Sequence, residues 1–309
     1  MGKGKEIAEG AIISCIFLVI LLLSFYTPLG LVTIYMIPVP FIIYCYRNGL
    51  KSSFWLFAVN IFLATIFTGI YGFFPVFMAG TTGLVMGSLY QKGNALAAIV
   101  GGIIINIINF IIALGFFRIV FKVNFVTIVK ETLFNTLNAS KTILAQFGGK
   151  EQVEAMFQLY HNFIDNIGMV LPFIFITYAL FIVFINHVLA GLIMRKLGLK
   201  VPGLKPLREW MFPKSILIYY LITVIIININ SLYTIYYIKL VVVNLFPLLQ
   251  LILMIQGVSF VFFYAYYKKM GKTLPVLSII SLFIPVLSQV IHIIGLVDLG
   301  FNLRNKLKT

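Results

Sequence analysis

The sequence predicts an all-α protein, a polytopic transmembrane helical bundle of eight or nine spans. Three observations predict it. The 309-residue chain is 61% hydrophobic and 10% charged, with a mean hydropathy of +1.08, whereas a water-soluble domain carries about 25% charged residues. Apolar runs near the length of one bilayer crossing, about 20 helical residues, recur along the chain. The Lys and Arg residues collect in alternate segments between those runs, which is how charge orients a membrane bundle.

Taken in order, the runs place spans near 10–26, 29–46, 53–70, 72–90, 95–121, 166–195, 214–236, 241–267 and 274–297. The first follows Lys3 and Lys5 and ends in SFYTPLG without a small-residue cleavage site, so it reads as a span and not as a removable signal. The second is interrupted by Pro38 and Pro40, whose missing N–H groups must be compensated by neighbouring helices or a cavity. Residues 122–165 break the pattern. Here Lys122, Lys130, Glu131, Lys141, Lys150, Glu151, Glu154 and Asp165 interleave with two helical stripes, one of Phe125, Val129, Leu133 and Leu137, the other of Val153, Met156, Phe157, Tyr160 and Ile164. Gly148 and Gly149 separate the two, giving an amphipathic helical hairpin that is extracytoplasmic by parity, either a lid over a cavity or a packed structural element.

With the N-terminus cytoplasmic, Lys3 and Lys5, Arg47 and Lys51, Lys92, the segment from Arg195 to Lys214, and Lys268, Lys269 and Lys272 all fall on one side, while turns 26–29 and 69–73 carry no charge. This positive-inside pattern accounts for most of the +15 net charge without any nucleic acid partner. The partner that charge alone suggests is the lipid bilayer, through anionic headgroups at loop 195–214. Nine straight spans would leave Arg304, Lys306 and Lys308 outside, whereas a re-entrant hairpin folded at Pro285 returns them to the basic side. Both arrangements fit the sequence.

Helices in lipid approach one another through small residues at four-residue spacing. Ala79, Gly83 and Gly87 on the fourth span, with Ala98 and Gly102 on the fifth, predict close packing there. The fifth span also aligns Asn106 and Asn109 on the Gly102 face, the third aligns Asn60 with Ala64 and Thr68, and the sixth carries Asn186 and His187. Buried polar groups of this kind either bond helix to helix or line a shared polar pocket, and the sequence leaves both readings open. Cys15 and Cys45 have no metal or disulfide spacing and read as small buried residues. No predicted span carries Asp, Glu, Lys or Arg at mid-membrane, and no Walker A, H-E-x-x-H, G-x-S-x-G or C-x-x-C motif occurs. A self-powered pump and an enzyme are therefore disfavoured, and no cofactor is expected.

The stretch from Gly10 to about Arg195, with its short Pro-containing second helix (IPVPFIIYCYRNGLKSSF) and Gly-rich fourth, resembles the substrate-binding S components of energy-coupling factor transporters. The whole chain, through its external insertion and its ending GLVDLGFNLRNKL, resembles the YybS-like family of uncharacterised bacterial membrane proteins. The first resemblance implies a six-helix bundle over 1–195, enclosing a small-molecule site and coupled to a separate ATPase-bearing module. Residues 196–309 then form a C-terminal membrane region of about three further spans or re-entrant segments. S components dock through an A-x-x-x-A pair on the first helix; here the small pairs are Gly10 with Ser14 and Ala11 with Cys15. Two functions follow for a protein of the bacterial cell membrane: a small-solute binding or transport subunit without its own motor, or a scaffold acting through protein partners, comparable to MreD.

Overall fold

The computed structural model describes residues 3–144 and 150–308, and all regular structure among them is helical. Gly148 and Gly149 lie outside the described residues. The chain forms two compact units, one of Met1–Gln146 and Phe175–Leu204, the other of Phe147–Ile174 and Lys205–Thr309. Residues 147–174, grouped on sequence with the first domain, thus cluster with the C-terminal region.

Among the described residues, six stretches are long and apolar enough to cross a membrane: Gly4–Tyr26, Gly30–Thr68, Ile70–Gln91, Ala95–Val120, Ile167–Lys196 and Tyr236–Tyr267. A bent pair, Thr273–Ser281 with Pro285–Phe301, raises the number to seven at most, against the eight or nine expected. Nine predicted runs become six because the second and third share the stretch Gly30–Thr68 and two runs in the C-terminal region fall short of a straight span. The 214–236 run yields only a 14-residue helix, Ser215–Asn228, before Ile229 turns extended; at 1.5 Å per residue that is about 21 Å, short of a roughly 30 Å core. The 274–297 run breaks because Pro285 forces the preceding residue out of helical geometry, and Ile284 accordingly sits at φ −110°, ψ 113°. The two helices meet at 112°.

In the first unit, α1 (Lys3–Tyr26) leads through α2 (Gly30–Thr33) and a 3₁₀ turn, Ile34–Met36, into α3 (Pro38–Thr68). α3 is not one rod. Sixteen residues of straight helix would separate Phe41 from Phe57 by about 24 Å, yet their ring centroids stand 6.1 Å apart. The chain reverses at Gly49 (φ 80°, ψ 173°), a conformation open essentially to glycine alone. The result is two antiparallel arms, so this 39-residue stretch contains both the second and third predicted spans. Every residue from Pro38 to Cys45 is buried. Phe17 of α1, Phe41 and Phe57 interlock edge to face at 5.1 and 6.1 Å to fill the space between the helices.

α4 (Ile70–Gln91) lies against both arms. A Cβ at Gly87 would stand 2.7 Å from the Ile42 carbonyl oxygen, and one at Gly83 would reach the Pro38 carbonyl at 3.0 Å, so the closest backbone approach of α4 is to α3. α5 (Ala95–Val120) meets α4 through side chains instead: the Met86 thioether and Val183 occupy the space beside Gly102, and Ala98 is wholly buried in the same cluster. Of the two cysteines, Cys45 is buried as read from sequence but Cys15 is exposed; Ser14 and Phe17 take the inward face of α1, which turns Cys15 outward.

Hydrogen bonds fix which turns share an end of this unit. Tyr46 donates to the Lys200 carbonyl (2.7 Å) and Tyr44 to the Glu6 carbonyl (3.4 Å), and Arg47 pairs with Glu9 at 2.9 Å. The start of α1, the Gly49 turn and the segment after α8 (Ile167–Lys196) therefore gather together, bringing Lys5, Arg47, Lys51 and Lys200 to one end. Tyr26 donates to the Phe67 carbonyl (2.6 Å), which joins the two uncharged turns to each other. Within the first unit, these basic segments share one end and the uncharged turns share another. α6 (Phe125–Leu144) follows α5; α7 (Lys150–Asp165) belongs to the second unit and buries Phe157 and Ile164.

The second unit is organised on α11 (Tyr236–Tyr267), with α9 (Ser215–Asn228), the short α10 (Asn230–Tyr233), α12 (Thr273–Ser281), α13 (Pro285–Phe301) and α14 (Leu303–Lys308). α11 and α13 cross backbone to backbone at Gly257 and Gly295, where an added Cβ would overlap the carbonyl oxygens of Ile291 and Leu253 respectively. A polar clamp ties α11 to the first turns of α8. Asn244 donates to the Met169 carbonyl (2.7 Å) and accepts from the Phe173 N–H (2.8 Å), taking over a helical bond next to Pro172. The bent pair starts at Lys272, just past the end of α11, and Arg304 returns to Ser259 near that same end. The C-terminal tail consequently lies with the basic segments 205–214 and 268–272, the arrangement of a re-entrant hairpin.

Candidate functional site

The five residues singled out for a polar pocket form three couplings and a helix-internal bond. Asn60 donates to Ser14 Oγ (3.0 Å) and the Leu56 carbonyl (2.9 Å), linking α3 to α1. Asn106 donates to Thr82 Oγ1 (3.0 Å) and Asn109 to Thr81 Oγ1 (2.8 Å), so adjacent Thr residues of α4 receive the two carboxamides of α5. Tyr90 and His187 share a hydrogen bond through the His187 Nδ1, their rings stacked at 5.8 Å. Asn186 donates within its own helix to the Ile182 carbonyl (2.8 Å). The buried carbonyl oxygens of Asn60, Asn109 and Asn186 have no hydrogen-bond partner. Asn106 and Asn109 stand one turn apart and belong together; Asn60 and His187 bond to other helices.

A groove of about 510 Å³ runs instead along α1, lined by Ala8, Ile12, Ile16 and Ile20 against Pro40 and Ile43 of the first α3 arm. Lys5, Glu9 and Arg47 stand at its charged end. Ala11 and Cys15 are exposed, as are Ile12 and Ile16 at 62% and 47%. Gly10 and Ser14 point the other way, Gly10 against Tyr44 and Leu56 and Ser14 onto Asn60. Of the two small-residue pairs on α1, one is consumed in the core and the other faces outward.

Sequence reasoning missed the most polar construction in the protein. Asp298, fully buried inside α13, accepts through Oδ2 from Gln256 Nε2 and from Arg304 Nε, the latter at 3.0 Å. Arg304 Nη1 donates to the Arg208 carbonyl (2.8 Å) and Nη2 to Ser259 Oγ (2.9 Å). Ser259 in turn bonds the Leu207 and Trp210 carbonyls (both 2.7 Å), and Gln256 Oε1 accepts from the Phe212 N–H (3.1 Å). The network holds segment 207–212 against α11, and its carboxylate lies just past the predicted span 274–297, in the last turn of α13. One signal was available: Asp298 is the lone acidic residue after Glu209 in a strongly basic stretch.

Long apolar helices, polar couplings between them and basic segments that share an end within each unit define a multi-pass α-helical membrane protein. The chain belongs to the family described as "Predicted membrane protein (DUF2232)", whose model matches residues 15–299. It is 29% identical over 315 residues, covering all of both chains, to "Uncharacterized protein YybS" of Bacillus subtilis (strain 168). No solved structure matches it.

Proposed function

We propose that this protein is a non-catalytic, motorless subunit of the bacterial cell membrane that works through a membrane-protein partner docked on α1. The observation that carries the reading is the outward Ala11 and Cys15 pair beside the α1 groove. Small residues at four-residue spacing let a second helix approach closely, and the Arg47–Glu9 pair at the groove's charged end offers polar register. The resemblance to S components supports the same helix, since they dock to their energising module through a small-residue pair on the first helix. The phenylalanine-filled core and the use of Asn106 and Asn109 as bonds to α4 favour a scaffold over a solute carrier. With the N-terminus cytoplasmic, the Gly49 turn is a cytoplasmic boundary between the two arms of α3.

A solute-binding role is the second reading, favoured by the unpartnered carbonyl oxygens of Asn60, Asn109 and Asn186. It places acceptor groups on α3, α5 and α8 within the first unit.

Cys15 supplies the test, because Cys45 is buried. A photoactivatable maleimide attached at Cys15 in native membranes should yield one discrete cross-linked membrane protein. The product should vanish in Cys15→Ser and be absent when the thiol is moved to Ile225, an equally apolar exposed position on α9. Adducts to lipid alone from both positions would sink the docking reading.

A further inference from the structure

We propose that a cavity of about 540 Å³ at the C-terminal end of α11 binds the headgroup of an anionic phospholipid. Its polar wall is Arg208 and Lys272, its apolar floor includes Leu207, Phe262 and Pro275, and no carboxylate lines it. Glu209 is the nearest acid, 4.0 Å from Arg208 Nε. Two cations over an apolar floor match an anion carried on hydrocarbon, which a fully hydrated soluble anion is not.

Arg208 is positioned on two sides. Its backbone carbonyl receives Arg304 Nη1 from the buried network, and its guanidinium lies 3.9 Å from the centre of the Tyr266 ring. A guanidinium stationed over an aromatic ring is positioned in advance, so its Nη groups can meet phosphate oxygens at little further entropic cost. Lys272 also lines the cavity, at the start of α12, whose first turn has no side-chain cap. The setting is interfacial: Trp210, Tyr264, Tyr266 and Tyr267 surround the same end of α11, followed by Lys268 and Lys269. Aromatic residues next to lysines mark the depth at which headgroups lie.

Trp210 is a built-in reporter, two residues from Arg208, with its indole N–H held by the Lys205 carbonyl at 2.8 Å. The full chain carrying Trp55→Phe, which leaves Trp210 as the single tryptophan, is placed in phosphatidylcholine vesicles containing phosphatidylglycerol, with bromine on the acyl chains of one lipid or the other. Brominated phosphatidylglycerol should quench Trp210 more strongly than brominated phosphatidylcholine. Each cation near an anionic surface is worth about a fivefold change in association, so Arg208→Gln or Lys272→Gln should reduce the preference about fivefold and the pair about twenty-five-fold, while Arg208→Lys retains most of it. Lys272 is exposed, so its variant tests the site without disturbing the fold. Equal quenching by the two lipids in the parent protein, or a preference that survives in the double variant, would overturn the proposal. Erasure of the preference by millimolar inorganic phosphate would also overturn it, by assigning the cavity to a soluble phosphate ester.

Discussion

Replacing Asp298 by Ala isolates the cost of the buried network. The carboxylate is fully buried and the Arg304 side chain 7% exposed. The substitution removes the acceptor of both Gln256 Nε2 and Arg304 Nε and leaves a guanidinium whose remaining acceptors, the Arg208 carbonyl and Ser259 Oγ, are neutral. Removing one partner of a buried ion pair costs about 3–5 kcal/mol, because the surviving charge stays desolvated. At about 2 °C per kcal/mol for a chain of this length, the full-length protein in detergent should melt about 6–10 °C lower, read by circular dichroism. Segment 207–212 should loosen at the same time, shifting Trp210 emission to the red, since the Trp210 carbonyl is held by Ser259 of the same network. The double variant Asp298→Leu with Arg304→Met removes both charges together and should recover to within about 2 kcal/mol of the parent, as apolar replacements of buried pairs do. A melting point within 2 °C of the parent for Asp298→Ala, or a double variant no more stable than the single, would refute the reasoning.

Three further outcomes follow from the packing. Gly295→Ala and Gly257→Ala each drive a methyl group into a backbone carbonyl of the partner helix, so each should lower stability by about 3 kcal/mol, the upper end of overpacking costs; Gly115→Ala, with nothing within 4 Å, should instead gain up to about 1 kcal/mol from helix propensity in the same melt. Gly49→Ala forces a Cβ into a glycine-only conformation at the α3 reversal and should cost about 1–3 kcal/mol, with a matching rise in protease cleavage at residues 46–51. A double-mutant cycle of Asn106→Leu and Thr82→Val should return a coupling of about 0.6 kcal/mol, the average for interhelical hydrogen bonds in membranes; a coupling of zero would show that the α4–α5 contact does not depend on that bond.

The sequence revealed the second and third spans at 29–46 and 53–70, and the structure keeps them as two arms separated by the reversal at Gly49. In the C-terminal region hydropathy, which measures composition, ran 214–236 together as one span, but its apolar core ends at Ile227 and its helix stops at Asn228. In the candidate pocket the identity of the buried polar residues was legible, for Asn60, Asn106, Asn109 and Asn186 are all buried. Their partners were not, since Ser14, Thr81 and Thr82 look unremarkable on their own helices.

What the sequence by itself determined is membrane residence, the polar and small faces of each helix, and the collection of positive charge in alternate segments. These are local properties, set by the length of apolar runs and by a periodicity that any stretch of twenty residues displays. Only the tertiary structure decided that Gly83 and Gly87 meet α3, that Asn106 and Asn109 bond to α4, and that α13 returns to the end of α11 from which α12 departs. It also decided that Asp298 lies beside Gln256, 42 residues away in sequence. Which residues must be satisfied is fixed along the chain; which residues satisfy them depends on how helices of nearly uniform composition pair in space, and local pattern carries no record of that pairing.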